Sequence, residues 1–373
     1  MREREKILIL SLLGIENKII SFIYLNFTNE EIEKLLLGNV LELQFKYNIF
    51  DDNAMNLLLD AQKVLCATDK ANKILQYSFK QDIHVISIFE EDYPVLLKKI
   101  HNPPLFLYAI GNLNLLNSNN AIACVGTRKP SKIGIEAVNN LITGLSKQNY
   151  TIVSGLAYGI DYAAHKTCLD NDGKTIAVLA HGLDKIYPKE HLPLSKKILQ
   201  KNGLLLSEYP VFTDIKKEYF VQRNRIVSGI SNGTIVIEAD ENSGTMHTAR
   251  FAFKQERMIF SPLNNTSSGV QKLISTKNAI PIKSFDEIVN YYSSQNERKS
   301  NIVLEKILSR VNLQFNQQEN KNNIMYKKCT TKIDSVVYSR IQNLASENNL
   351  TIKEIVNGVL QAFVDTYEEG EKK

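Results

Sequence analysis

Between residues 86 and 295 short apolar runs alternate with amphipathic stretches, and this alternation constrains the fold more than any other feature of the chain. The runs lie at 122–125, 151–153, 175–180, 204–206, 234–238 and 258–260. The stretches between them (134–147, 159–170, 191–200, 221–229 and 245–255) have the apolar spacing of helices. Each run is continuously apolar rather than alternating, as strands buried on both faces are. Strand–helix alternation of this kind predicts an α/β fold, a Rossmann-like, doubly wound parallel sheet with helices on both faces. Such sheets bind ligands at the carboxyl ends of their strands, so the loops there matter most.

The rest of the chain is of different character. Residues 1–85 hold no proline and only two glycines, and their leucines and isoleucines recur at helical spacing, which predicts a small helical domain. The apolar run 7–15 is followed by Glu16 and Lys18 without a small-residue cleavage site, so it reads as a first core helix rather than a leader. No stretch approaches the roughly 18 apolar residues of a membrane span, and a cytoplasmic protein without a membrane partner is expected. Residues 296–324 contain the polar run NLQFNQQENKNN and read as a linker. Residues 325–373 form a further module. The four cysteines, at 66, 124, 168 and 329, have no metal-ligand spacing, and no metal or cofactor is expected. Against 40 Asp and Glu stand 45 Lys and Arg, a net charge of +5. That is too mild a surplus to imply nucleic acid by itself, so the distribution of the cations matters.

They gather at the strand ends. The run 122–125 leads into Gly126, Thr127, Arg128 and Lys129, with Lys132 close behind. The run 151–153 leads into Ser154 and Gly155, then Gly159, Asp161 and His165. The run 234–238 leads into Ser243, Gly244 and Thr245 at the start of a helix. Glycines in such turns admit close approach of a ligand, and helix N-termini offer free N–H groups to an anion. The segment 216–225, KKEYFVQRNR, interleaves cations with rings. Cations hold phosphates and rings stack bases, the combination single-stranded nucleic acid favours. Plainer roles compete with these: Arg223 and Arg225 as surface residues or partners of Glu218, Asp161 as a helix cap, His165 as a core histidine.

Taken in order, VGTR, SGLAYGIDYAAH, TIAVLAHGLDKIYP, LLLSEYP, FVQRNRIVSGIS and VIEADENSGTMHTAR make the chain similar to the DprA/Smf family, the DNA-processing protein A family, over residues 90–282 and, with EEDYP and NPPLFLYAIGN, from residue 1 to about 290. The resemblance implies an extended Rossmann-like fold and a single-stranded DNA-binding recombination mediator that acts as a homodimer and helps load the RecA recombinase. It implies DNA contacts by Arg128, Lys217, Phe220, Arg223 and Arg225, in a phosphate pocket lined by Gly126, Thr127, Ser154, Gly155, Ser243, Gly244 and Thr245. Two departures stand out. Ser261-Pro262-Leu263-Asn264 replaces the family's usual Pro-Gly turn, and the following SGVQKLI lacks its Gly-Thr-Asn.

The final module departs more. Residues 328–333 alternate with period two, and two amphipathic stretches follow, the second opened by a Thr351–Glu354 capping-box pattern. This resembles a ribbon–helix–helix module, which implies an intertwined dimer presenting Lys328, Thr330 and Lys332 to duplex DNA. Between 321 and 353 six Lys and Arg face two Asp and Glu. A sequence-specific duplex-binding regulator is therefore one alternative. A nucleotide-phosphate hydrolase is another, but those carry Gly-Gly-x-Gly-Thr-x-x-Glu, and here Thr248 occupies the glutamate position. No enzyme is expected.

Overall fold

Six helices precede the sheet in a computed structural model of the chain, which describes residues 3–294 together with Gln342 and Val356. They are α1 to α6 (Glu3–Leu13, Asn17–Asn26, Asn29–Leu36, Val40–Tyr47, Asp52–Leu59 and Ala61–Lys80). The start of α1 is a core helix, with Ile7 to Leu10 all buried. Side chains set the helix boundaries: Asp51 and Asp60 cap α5 and α6, and Thr28 and Glu31 form a reciprocal capping box on α3.

The chain then enters β1 (His84–Ser87), a short α7 (Val95–Lys98) and β2 (Phe106–Gly111). From there strands and helices alternate: β3 (Ala121–Val125), α8 (Lys132–Lys147), β4 (Thr151–Ser154), α9 (Ile160–Asp170), β5 (Thr175–Leu179), α10 (Leu192–Gln200), β6 (Leu204–Ser207), α11 (Lys217–Gly229), β7 (Gly233–Val236), α12 (Gly244–Lys254), β8 (Met258–Pro262), α13 (Ser268–Ser275) and β9 (Ile280–Ile282). A further helix starts at residue 285. The nine strands form one sheet in the order β1-β2-β6-β5-β4-β3-β7-β8-β9. From β6 to β9 all neighbours are parallel, as the alternation predicts.

The other edge was not foreseen. β1 and β2 pair antiparallel, and β2 pairs antiparallel with β6. No crossover helix announces these strands, so the alternation that reveals the parallel part is silent about them. The segment after Phe260 likewise resolves into the regular elements α13 and β9.

Alternate residues of one strand feed opposite faces of the sheet. Ile176 and Val178 of β5 pack with Ile226 and Val227 of α11 and Ala249 of α12. Ala177 and Leu179 pack with Leu169 of α9 and Leu194 and Ile198 of α10. The N-terminal helices share a core with the β1–β2 edge through Val85, Phe106 and Tyr108. Residues Met1–Ile288 form one compact unit, and Val289–Lys373 belong to a second. The linker and the strand–helix–helix module, with Lys328, Thr330 and Lys332, lie outside the described residues. Among the described residues no helix is long and apolar enough to cross a membrane.

Candidate nucleic-acid interface

The strand order reverses beside β3, with β4 on one side and β7 on the other. A groove of about 570 Å³ opens here, at the carboxyl ends of β3, β4 and β7. Gly126, Thr127 and Arg128 line it after β3, and Ala157 and Asp161 after β4. Lys217, Phe220, Arg223 and Asn224 come from α11, and Ser243, Gly244, Thr245 and Thr248 from the start of α12. Tyr187, in the loop after β5, completes the wall.

Two close approaches shape the groove. Gly159 has φ +76°, and a Cβ there would run into the Thr127 carbonyl and Arg128 backbone, so glycine lets the start of α9 meet the 126–128 turn. At Gly155 a Cβ would strike the Arg223 guanidinium.

The rim is cationic and unpaired. Arg128 and Lys217 are exposed, and neither forms an ion pair with a described residue. The Arg128 guanidinium stands 5.9 Å from the centre of the Phe220 ring, within cation–π range. Tyr187 meets the same ring edge-on at 5.7 Å.

Two helix N-termini beside the switch point, those of α8 and α12, differ. That of α8 is already occupied: the Glu238 carboxylate accepts from the Ser131 N–H at 2.9 Å and from the Ser131 hydroxyl. Gly134 is a glycine because a side chain would fall on that carboxylate. The N-terminus of α12 is open. Among the described residues the Ser243 side chain makes no capping bond, its Oγ has no partner, and a Cβ on Gly244 would meet nothing within 4 Å. An N-terminus in this state favours an anion.

The floor is buried. The Arg223 guanidinium donates to the Val178 carbonyl and lies within electrostatic reach of Asp161, without a direct ion pair to it. Asp161 accepts from the Gly155 and Ala157 N–H groups at 3.1 and 3.4 Å, so it fastens the loop after β4 rather than capping its own helix. Burial pushes the Asp161 carboxyl up, and the Arg223 charge is the largest opposing influence. Burial likewise pulls the guanidinium down, against the carboxylate.

Three expected contact residues do not line the groove. Ser154 is buried and its hydroxyl donates to the Cys124 carbonyl at 2.7 Å. Gly155 makes room for Arg223 from beneath. Arg225 turns away, making a two-pronged ion pair with Glu208 (not Glu218) and donating from Nε to the Asn102 carbonyl at 2.9 Å. The helical period explains this: two residues on a helix point about 200° apart, so Arg223 and Arg225 cannot both face one groove. Arg128, Lys217, Phe220, Gly126, Thr127, Ser243, Gly244 and Thr245 are brought together with the buried Arg223.

Other residues resolve plainly. His165 is a core histidine, its Nδ1 2.7 Å from the Thr175 hydroxyl and its pKa pushed down to about 3 by burial. Thr248 lines the groove where the hydrolase pattern has its acid. Sequence reasoning did not single out Tyr187 or Asn224 as wall residues. Asn224 sits within the RNR motif, and Tyr187 is the aromatic residue of a strand-end loop, so the signal was a position at the carboxyl edge. Among the described residues no cluster of metal-ligating side chains occurs.

Comparison with known proteins sharpens this picture. DNA processing protein DprA of Bacillus subtilis (strain 168) is 41% identical over 192 residues, covering 52% of this chain and 64% of that one. Protein Smf of Escherichia coli K12 is 37% identical over 209 residues, covering 55% and 56%. The match spans less than two thirds of the length of either relative. The crystal structure of DNA processing protein A from Streptococcus pneumoniae superposes with a TM-score of 0.59 at 29% identity, over 78% of this chain and 98% of that one. DNA processing protein A from Helicobacter pylori, studied for its single-stranded DNA binding mode, gives 0.52 at 31% identity, over 57% and 96%. The family described as DNA recombination-mediator protein A matches residues 84–293, more than half of the 373 residues. The chain belongs to that family.

Proposed function

We propose that the groove binds single-stranded DNA and that the chain acts as a recombination mediator rather than an enzyme. The observation that carries this reading is the rim: two exposed, unpaired cations, Arg128 and Lys217, flank the ring of Phe220 beside the open N-terminus of α12. Phosphates meet the cations and the helix end, and an unpaired base meets the ring. Base stacking of this kind contributes about 1–3 kcal/mol per base and requires a base free of a partner strand. The H. pylori relative, whose single-stranded DNA binding mode is described, supports the same ligand. The mediator role includes delivery of the strand to RecA and action as a homodimer, as the family resemblance implies. The groove binds without hydrolysing: Thr248 cannot act as a base, and Asp161 is engaged with two backbone N–H groups. The division into helical lead, Rossmann-like body, linker and C-terminal module is part of the proposal.

Fluorescence anisotropy with labelled single-stranded and duplex DNA of equal length tests it. The full chain should prefer the single strand, and Arg128→Ala with Lys217→Ala should abolish that preference. Undiminished single-strand binding by the double variant would refute the groove. Binding confined to duplex, and unaffected by the double variant, would favour the duplex-binding regulator.

A further inference from the structure

Beyond the groove a row of rings continues along the carboxyl edge of the sheet, half-buried at Phe220 and exposed thereafter. It begins at Phe220 and Tyr187, which lie in the groove wall. It continues to Tyr158, the residue after the groove-lining Ala157, and ends at Tyr162, one helical turn further along. Tyr158 and Tyr162 both pack against one buried histidine, His191, each with ring centres 4.8 Å apart. The histidine is itself fixed, its Nδ1 2.8 Å from the Leu156 carbonyl. Tyr187 belongs to the same neighbourhood: the Tyr158 hydroxyl is held above its ordinary pKa chiefly by its bond to Glu190, with Tyr187 among the contributors.

These rings are exposed yet held in place. Tyr187, Tyr158 and Tyr162 are 44%, 42% and 36% exposed, too open for core residues. Tyr158 is anchored at its far end, where the hydroxyl donates to Glu190 at 2.7 Å. A rigid ring with one free face loses little conformational freedom when a flat ligand stacks on it. The charges set the orientation of that ligand. Glu190 repels phosphate, so a strand crossing here must turn its bases to the rings and its backbone to solvent or to the exposed Lys189.

We propose that Tyr158 and Tyr162 form a base-stacking extension of the groove, receiving the nucleobases of single-stranded DNA that runs past Tyr187. The proposal rests on the groove reading above and extends its reach along the strand. It adds affinity only for strands long enough to leave the groove. Each stacked base corresponds to about 5- to 150-fold in affinity, which is the usual range for a base on an aromatic side chain.

The test uses the full chain and oligothymidylates of increasing length. Wild-type affinity should keep rising after the groove is filled. Tyr158→Ala with Tyr162→Ala should remove that later rise, by about fivefold or more, bringing long strands to the affinity of short ones. Abasic sites placed at either end of the long strand in turn should remove the rise from the wild type at one end, and take nothing more from the double variant. Equal length dependence in both proteins would overturn the proposal. A second variant serves if the double alanine protein fails to fold. The chain has no tryptophan, so Tyr158→Trp places one reporter in the row. Long strands should quench its emission and groove-length strands should not; no quenching by long strands would overturn the proposal. Failure of the groove itself would appear separately, as intact binding of short strands by the Arg128→Ala, Lys217→Ala protein.

Discussion

Arg128 and Arg223 border the same groove and are placed for opposite work. Arg128 stands at the rim, exposed, over a ring and without a carboxylate. Arg223 lies in the floor, buried, donating to the Val178 carbonyl and within the field of Asp161. A cation at the rim is solvated and gains from an arriving phosphate. A cation in the floor has already lost its water and depends on the partner it has. The difference teaches that ligand contact and ligand-site construction can be assigned to one residue type within one groove, and that the partner across from the side chain decides which it is.

The largest expected effect tests the floor. Arg223→Met should destabilise the fold by about 3 kcal/mol in urea unfolding, because the buried Val178 carbonyl loses its donor and the buried Asp161 loses the nearby opposing charge. Adding Asp161→Asn should recover a good part of that loss. A cost under about 1 kcal/mol for Arg223→Met would erase the distinction between floor and rim. The matching change at the rim, Arg128→Ala, should alter stability by no more than about 0.5 kcal/mol.

The next effect tests what the rim holds. Phe220→Ala should weaken single-strand binding by about 1–3 kcal/mol, while Phe220→Tyr keeps most of it. Loss from both equally would mean that the ring only props up Arg128. Gly244→Ala separates ligand contact from folding more finely. The apoprotein has open space there, so stability should hold or rise by up to about 1 kcal/mol. Binding should fall, because the methyl group occupies the approach to the α12 N-terminus. Unchanged binding would remove that helix end from the site.

The smallest effect concerns a half-buried charge that, unlike Arg128, is already satisfied. Glu31 accepts from the Thr28 N–H at 2.8 Å and from Lys46 at 2.6 Å. Lys46, then the Thr28 N–H, lowers its pKa from 4.5 to about 2. The folded carboxyl holds its proton less tightly than the unfolded one, so its stabilisation is complete above pH 4.5 and fades as pH falls toward 2. Acid titration of stability should be shallower in Glu31→Gln over that window. Thr28→Ala should cost about 1 kcal/mol at neutral pH through loss of the cap.

The parallel half of the sheet was legible because each of its strands must be followed by a crossover, and crossovers leave a helix in the sequence. The β1–β2 edge was not, since antiparallel neighbours need no such signature. At the site, the turn 126–128 and the start of α12 were legible as glycine and cation patterns at strand ends. The fate of KKEYFVQRNR was legible only in part. Its composition announces cations and rings, but Lys217, Phe220 and Arg223 fall toward the groove, while Arg225 meets Glu208, a residue from a different strand end. No local pattern reports a partner 17 positions away. Occupation of the α8 N-terminus by Glu238 was hidden for the same reason, at a separation of 107 residues.

The central claim is that the rim cations are phosphate contacts because no ion pair among the described residues neutralises them. The most direct measurement is the salt dependence of single-stranded DNA binding, for wild type and for Arg128→Ala with Lys217→Ala. Each phosphate contact to a single strand contributes about 0.7 to the slope of log K against log salt, so the double variant should have a slope shallower by about 1.4. Equal slopes in the two proteins would contradict the account, because the strand would then be held by charges elsewhere.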